Sequence, residues 1–124
     1  MYVDGFVMAV PNARIDDYKA LAEKSRDLWK KHGAIDYVEC IAEDVKPGKL
    51  TSFPQAVMLK DDETVVFAWI TYPSREERDR VNAAVMEEPW MKDMNPADMP
   101  FDGQRMFWGG FTPVFDSSTA GVAS

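Results

Sequence analysis

Histidine, cysteine and net positive charge are what this chain of 124 residues has least of. Its single histidine, His32, leaves no imidazole cluster of the kind that holds zinc, so no metal site is expected. Its single cysteine, Cys40, forms no internal disulfide, which fits a reducing compartment. Lys and Arg number 14 against 21 Asp and Glu, a formal net charge of −7. Nucleic-acid binders neutralise phosphates with clustered cations, so this balance argues against DNA or RNA. The densest basic stretch, Lys24, Arg26, Lys30 and Lys31, shares its segment with Asp16, Asp17, Glu23 and Asp27 and reads as a solvated face. No run approaches the roughly 18 apolar residues of a membrane span. The opening MYVDGFVMAVPN has neither a basic region before its apolar run nor a small-residue cleavage site, so a cytoplasmic protein is expected. The phosphate-cradling G-x-x-x-x-G-K-[ST], the dinucleotide G-x-G-x-x-G, H-E-x-x-H and paired-cysteine motifs are all missing. Asp61, Asp62 and Glu63 lack the alternate-residue spacing of a calcium loop. No tightly bound cofactor is expected.

What is present belongs to a folded protein: 46% hydrophobic and 12% aromatic residues. The length suits one domain, expected over residues 1–116, with a small, polar, flexible tail over 117–124. Tyr2 to Val10 is an apolar, β-rich run stopped by Pro11-Asn12, a first strand. Asn12 stands where an N-cap belongs, and Asp16 and Asp17 fall in the first helical turn. Ile15, Tyr18, Leu21, Ala22, Ser25, Leu28, Trp29 and His32 recur at threes and fours, the buried stripe of a helix ending near Lys31 and Gly33. Ile35 to Asp44 alternates as a second strand, and Glu63 to Tyr72 is the third. Between them lies a long connection in which Thr51 or Ser52 caps one helical turn or a short edge strand forms. Ser74 and Glu77 make a capping box for a second helix with Val81, Ala84, Val85 and Glu88 inward. After a Met-rich loop, Arg105 to Val114 is the fourth strand, with Gly109-Gly110 suggesting a bulge or a close approach by a ligand or, in preference, a partner chain.

The order βαββαβ predicts an α+β, ferredoxin-like fold: a four-stranded antiparallel sheet with two helices on one face. Placing Glu39 opposite Trp69 puts Val38, Cys40 and Ala42 under the helices with Ile70, Ala68 and Val66. Tyr37, Glu39 and Ile41 then share the bare face with Thr71, Trp69 and Phe67. A bare apolar face of several hundred Å² is rare in a monomer, so a homodimer joined through this sheet face is expected.

The stretches YVDGFVMAVP, HGAIDYVEC, ETVVFAWITYPS and above all MPFDGQRMFWGGF resemble the YbaA-like family of bacterial proteins. The resemblance runs from about Tyr2 to Phe115; Val57 to Asp62 and the tail depart most from it. It implies the dimeric α+β-barrel superfamily, in which two ferredoxin-like units join their sheets. That family has no established activity, so no site residue carries over. Proteins of the wider superfamily include cofactor-independent monooxygenases, haem-degrading enzymes, muconolactone-isomerase-like proteins and ligand sensors, and fold alone does not choose among them.

Chemistry must therefore be sought residue by residue. His32 is the only side chain that ordinarily titrates near neutrality, though at a helix end it more often caps or packs. Cys40 on a covered strand face reads as a small hydrophobe rather than a nucleophile. Glu39, Tyr37 and His32 are the acid–base candidates, Glu39 foremost because a carboxylate at a sheet seam is paired, solvated or protonated. For Glu39 the structural alternative is an intersubunit ion pair or hydrogen bond, with Arg105 or Arg14 as the partner. Trp69, Thr71, Met94, Met99 and Arg105 are candidate ligand contacts, the methionines as an adaptable apolar lid. Two functions follow: binding or transforming a small, largely apolar organic molecule, or a non-catalytic dimeric module that engages a protein partner. A cavity with converging polar groups favours the first.

Overall fold

The computed structural model describes residues 1–117, so the expected tail lies almost wholly outside the described residues. The elements in chain order are β1 (Tyr2–Pro11), α1 (Ile15–His32), β2 (Asp36–Ile41), α2 (Phe53–Ala56), β3 (Glu63–Tyr72), α3 (Arg75–Met86), α4 (Pro89–Lys92) and β4 (Phe107–Phe111). The strands form one four-stranded antiparallel sheet in the order β2-β3-β1-β4. α1 and α3 pack side by side against one face, and the architecture is ferredoxin-like.

Local chemistry explains most element ends. Gly33, at φ 121°, closes α1 by donating its N–H to the carbonyls of Trp29 and Lys30, a backbone conformation other residues adopt only with strain. Ser74 caps α3, its Oγ accepting the Glu77 N–H at 3.2 Å. The reciprocal half of the box is not made, because the Glu77 carboxylate takes Arg80 at 2.6 Å instead. Ser52 likewise caps the single turn α2, which settles the long connection in favour of a helical turn. Asn12 is not the N-cap of α1: it sits in a 3-10 turn, Arg14 takes the cap position, and Asn12 Oδ1 accepts the Thr64 hydroxyl. β2 and β4 are shorter than their alternating patterns suggest, and the Met-rich loop contains α4 and a 3-10 turn at Pro96–Asp98.

The register of β2 differs from expectation by one residue. Val38, not Glu39, lies opposite Trp69; Glu39 faces Ala68 and Tyr37 faces Ile70. A one-residue slip turns every side chain of the strand over. Tyr37, Glu39 and Ile41 therefore lie under the helices, while Cys40 is exposed on the other face. The alternation is apolar on both sides, so hydrophobicity alone did not decide. The larger set fills the space beneath α1, where Tyr37 packs on Trp29 with ring centroids 6.0 Å apart.

The face away from the helices is not wholly bare. The β2–β3 connection folds over one end, where Val57 and Leu59 cover Val7, Ala9 and Val65. Arg105 anchors this flap: its guanidinium meets both Glu63 carboxylate oxygens at 2.8 and 2.5 Å and donates to the Val57 and Met58 carbonyls. At its margin Phe53 of α2 packs edge-on against Phe67 at 5.9 Å, and from there Phe67, Phe107 and Phe111 keep 40%, 45% and 64% exposure, with Trp69 beside Phe67 at 5.7 Å.

Candidate functional site

Beneath α1 and α3 the sheet does not meet the helices fully, leaving a cavity of about 250 Å³. Each element contributes by its own periodicity. β1 offers Phe6 and Met8, β3 Ala68 and Ile70, and β2 Tyr37 and Glu39, all alternate residues of one face. α1 offers Tyr18, Leu21, Ala22, Ser25 and Trp29, the inner part of its stripe. The remaining wall comes from Met86, the last residue of α3, and from the segment after it, where Met91, Met94, Met99, Phe101 and Met106 line the space. With Met8, six of the chain's eight methionines line this one space. Arg14, at the head of α1, holds the segment through the carbonyls of Asp98 and Met99 at 3.3 and 3.1 Å.

Polar groups are few in this wall, and they converge. Tyr37 Oη donates to Glu39 Oε2 at 2.9 Å, and Tyr18 Oη donates to Glu39 Oε1. Ser25 lines the same wall beside Tyr37. Burial lifts the Glu39 carboxyl above its ordinary value and outweighs the two phenolic hydrogen bonds, which pull it down. Burial first, then the neighbouring Glu39 charge, raises both phenols, so Tyr18 and Tyr37 stay protonated donors. Each carboxylate oxygen retains a lone pair beyond the one a tyrosine occupies. The arrangement can accept a further N–H or O–H from a guest, or exchange a proton with one.

Glu39, Tyr37, Met94 and Met99 thus meet in one cavity. Trp69 and Thr71 do not join them, because they point to the opposite sheet face. Thr71 Oγ1 is occupied by Asp36, accepting its N–H at 3.0 Å and donating to its carboxylate at 2.7 Å. His32 lies at the far end of α1, its Nε2 2.7 Å from Glu88 Oε1, which Lys31 also reaches at 2.9 Å. Arg105 serves the flap, and within the chain Glu39 is taken by the two tyrosines while Arg14 holds the Asp98 and Met99 carbonyls. Tyr18 joins the site although its sequence pattern marks it only as a core residue. Its place on the α1 stripe was plain, and a buried phenol needs a hydrogen-bond partner, which was the available signal.

A second buried polar cluster lies under α3. Asp4 is fully buried, with Arg78 Nε 3.5 Å away and Tyr72 and Asn82 alongside. Burial raises its carboxyl despite the guanidinium. Arg78 also donates to Tyr2 Oη at 3.1 Å. This cluster accounts for Gly110: a Cβ there would sit 2.3 Å from Tyr2 Oη and 2.5 Å from Arg78 Nη2. The close approach is made by the chain's own side chains.

The family described as a protein of unknown function (DUF1428) matches residues 1–103. Relatives from Escherichia coli strain K12 and from Shigella flexneri, each called uncharacterized protein YbaA, are 50% identical over 115 residues, covering 93% of this chain and 97% of theirs. A crystal structure described as a dimeric ferredoxin-like protein from an uncultured marine organism superposes with a TM-score of 0.56 at 14% identity, over 93% of this chain and 97% of that one. At that identity the likeness concerns the fold alone. Among the described residues, no helix is long and apolar enough to cross a membrane.

Proposed function

The chain belongs to the DUF1428 family, and from that premise we propose that it binds, and is built to exchange a proton with, a small, largely apolar organic molecule held between sheet and helices. The observation that carries this reading is one carboxylate, Glu39, braced by two phenols in a wall otherwise made of aliphatic, aromatic and thioether groups. Such a mostly apolar pocket with few placed polar groups is the usual build of a small-molecule site. A cavity of ~150 Å³ already accepts benzene. The 250 Å³ here suits a single ring or short branched chain bearing one N–H or O–H for Glu39. Methionine walls accommodate several shapes, since the thioether chain is unbranched and polarisable.

Native mass spectrometry of the protein purified from its own cells tests this. The expected result is a small retained mass, weakened in Glu39→Gln. A clean, empty chain that also shows no thermal shift with millimolar single-ring amides or alcohols would overturn the reading.

We further infer that two copies pair through the uncovered end of the other sheet face. Phe67, Trp69, Phe107 and Phe111 form an aromatic surface there, larger than isolated exposed side chains explain. The marine neighbour's description as dimeric supports the pairing of two copies. The partner-protein alternative draws on this face alone, and a second copy would occupy it.

A further inference from the structure

The cavity has a neighbour. An open groove of about 400 Å³ runs between α1 and β2, and Tyr18, Ala22, Tyr37 and Glu39 line both spaces. β2 is an edge strand, so no further strand closes the groove on its outer side. The hydrogen-bonded Tyr18–Glu39–Tyr37 set is therefore a threshold between an apolar interior and a solvent-facing channel. Beyond it the groove's character changes. Val38, Ile41 and Val66 give it an apolar side, and α1 adds Lys19, Glu23 and Arg26, spaced four and three apart on one helix face. Arg26 is already engaged, bonded to Asp27 Oδ1 at 3.0 Å with Glu23 at 3.9 Å. Lys19 makes no ion pair among the described residues and stands next to Tyr18 in the chain.

Resting on the ligand-binding reading above, we propose that the ligand is an amphiphile in three parts. Its apolar head fills the cavity, a hydrogen-bond donor sits at Glu39, and a tail carrying an anionic group lies along the α1–β2 groove toward Lys19. The threshold fixes the order of the parts. A tail charge buried in the thioether cavity would be left unpaired, which is costly, whereas in the groove it meets water and one uncommitted ammonium. The same geometry lets the ligand exceed the cavity's length without exceeding its width.

Three probes sharing a ring and an amide N–H separate the parts: N-methylbenzamide, N-benzoylglycine and N-(2-aminoethyl)benzamide. Binding is read from tryptophan fluorescence, with methionine methyl shifts in NMR reporting ring entry into the cavity. At low salt, N-benzoylglycine should bind about two- to fivefold tighter than the neutral amide, the range of an exposed ion pair. The cationic probe should bind weakest. In about 1 M salt, where screening acts within ~3 Å, the order should collapse. Lys19→Glu should erase or invert the preference; Lys49→Glu, an equal change of net charge outside the groove, should keep it. Equal affinities for the three probes, or a preference that survives Lys19→Glu, would overturn the amphiphile proposal and leave the cavity reading standing. Absence of binding by all three would remove both.

Discussion

Glu39 carries two opposing influences, and their balance is measurable. Two phenols favour its ionised form, while removal from water disfavours it more. Because the folded state holds the proton more tightly than the unfolded chain, this carboxyl contributes stability below its ordinary value of 4.5, and that contribution is lost as pH rises through the folded value. Asp4 acts in the same direction. Glu63, held down by Arg105, acts in the opposite one, losing its contribution as pH falls. Glu39→Gln is neutral at every pH and removes one of these slopes. Urea midpoints taken from pH 4 to pH 8 should therefore move in favour of Glu39→Gln, relative to the wild type, as pH rises. A constant offset across that range would show that Glu39 ionises as freely folded as unfolded. The residue-scale surprise is Tyr18. Its helical spacing announced burial but not its partner, since the partner lies 21 residues away on a strand whose facing was ambiguous.

At the scale of elements, the order of strands and helices was readable because α1 and α3 have clean three-and-four stripes and β1 and β3 are long apolar runs. The register of β2 lies one residue away from the one its alternation suggests. Val38, Cys40 and Ala42 are as plausible a covered set as Tyr37, Glu39 and Ile41 when only hydrophobic alternation is weighed. What decides between them is side-chain volume beneath α1, a tertiary property. The slip has a specific consequence: Trp69 and Thr71 lie on the face opposite Glu39 and not beside it. Arg105 was also misplaced, since nothing local says that a strand-entry arginine will reach back to Glu63 and the connection before it. That ion pair joins three segments and is nearly sealed, with side-chain exposures of 10% and 4%. Arg105→Met should cost about 3–5 kcal/mol in chemical denaturation, because it strands a buried carboxylate. Adding Glu63→Leu to Arg105→Met should recover a substantial part of that loss. A double variant no better than the single one would place the cost in the lost Val57 and Met58 carbonyl contacts instead.

The two faces of the whole molecule divide its tasks. The helical side encloses the cavity; the other side is half flap and half aromatic surface. If two copies meet there, Phe67→Glu puts a charge into each half of the seam and should convert the species seen by light scattering from twice the chain mass to once. The same variant should leave cavity binding in place, because Phe67 points away from Glu39. A wild-type chain that runs as a monomer at micromolar concentration would end the pairing argument. The expectation of pairing survived the register correction, because Phe67 and Trp69 on β3 carry it without β2.

The edge position of β2 has one more consequence. Amides in a border strand have neighbours on one side only, so such a strand opens locally at lower free energy than an interior one. Hydrogen exchange should accordingly find the amides of β2 among the first strand amides to trade deuterium, and those of β1 and β3 among the last. The carboxylate of the site thus rides on one of the sheet's two peelable margins, and its guest, by bridging β2 to α1, would act as the missing staple.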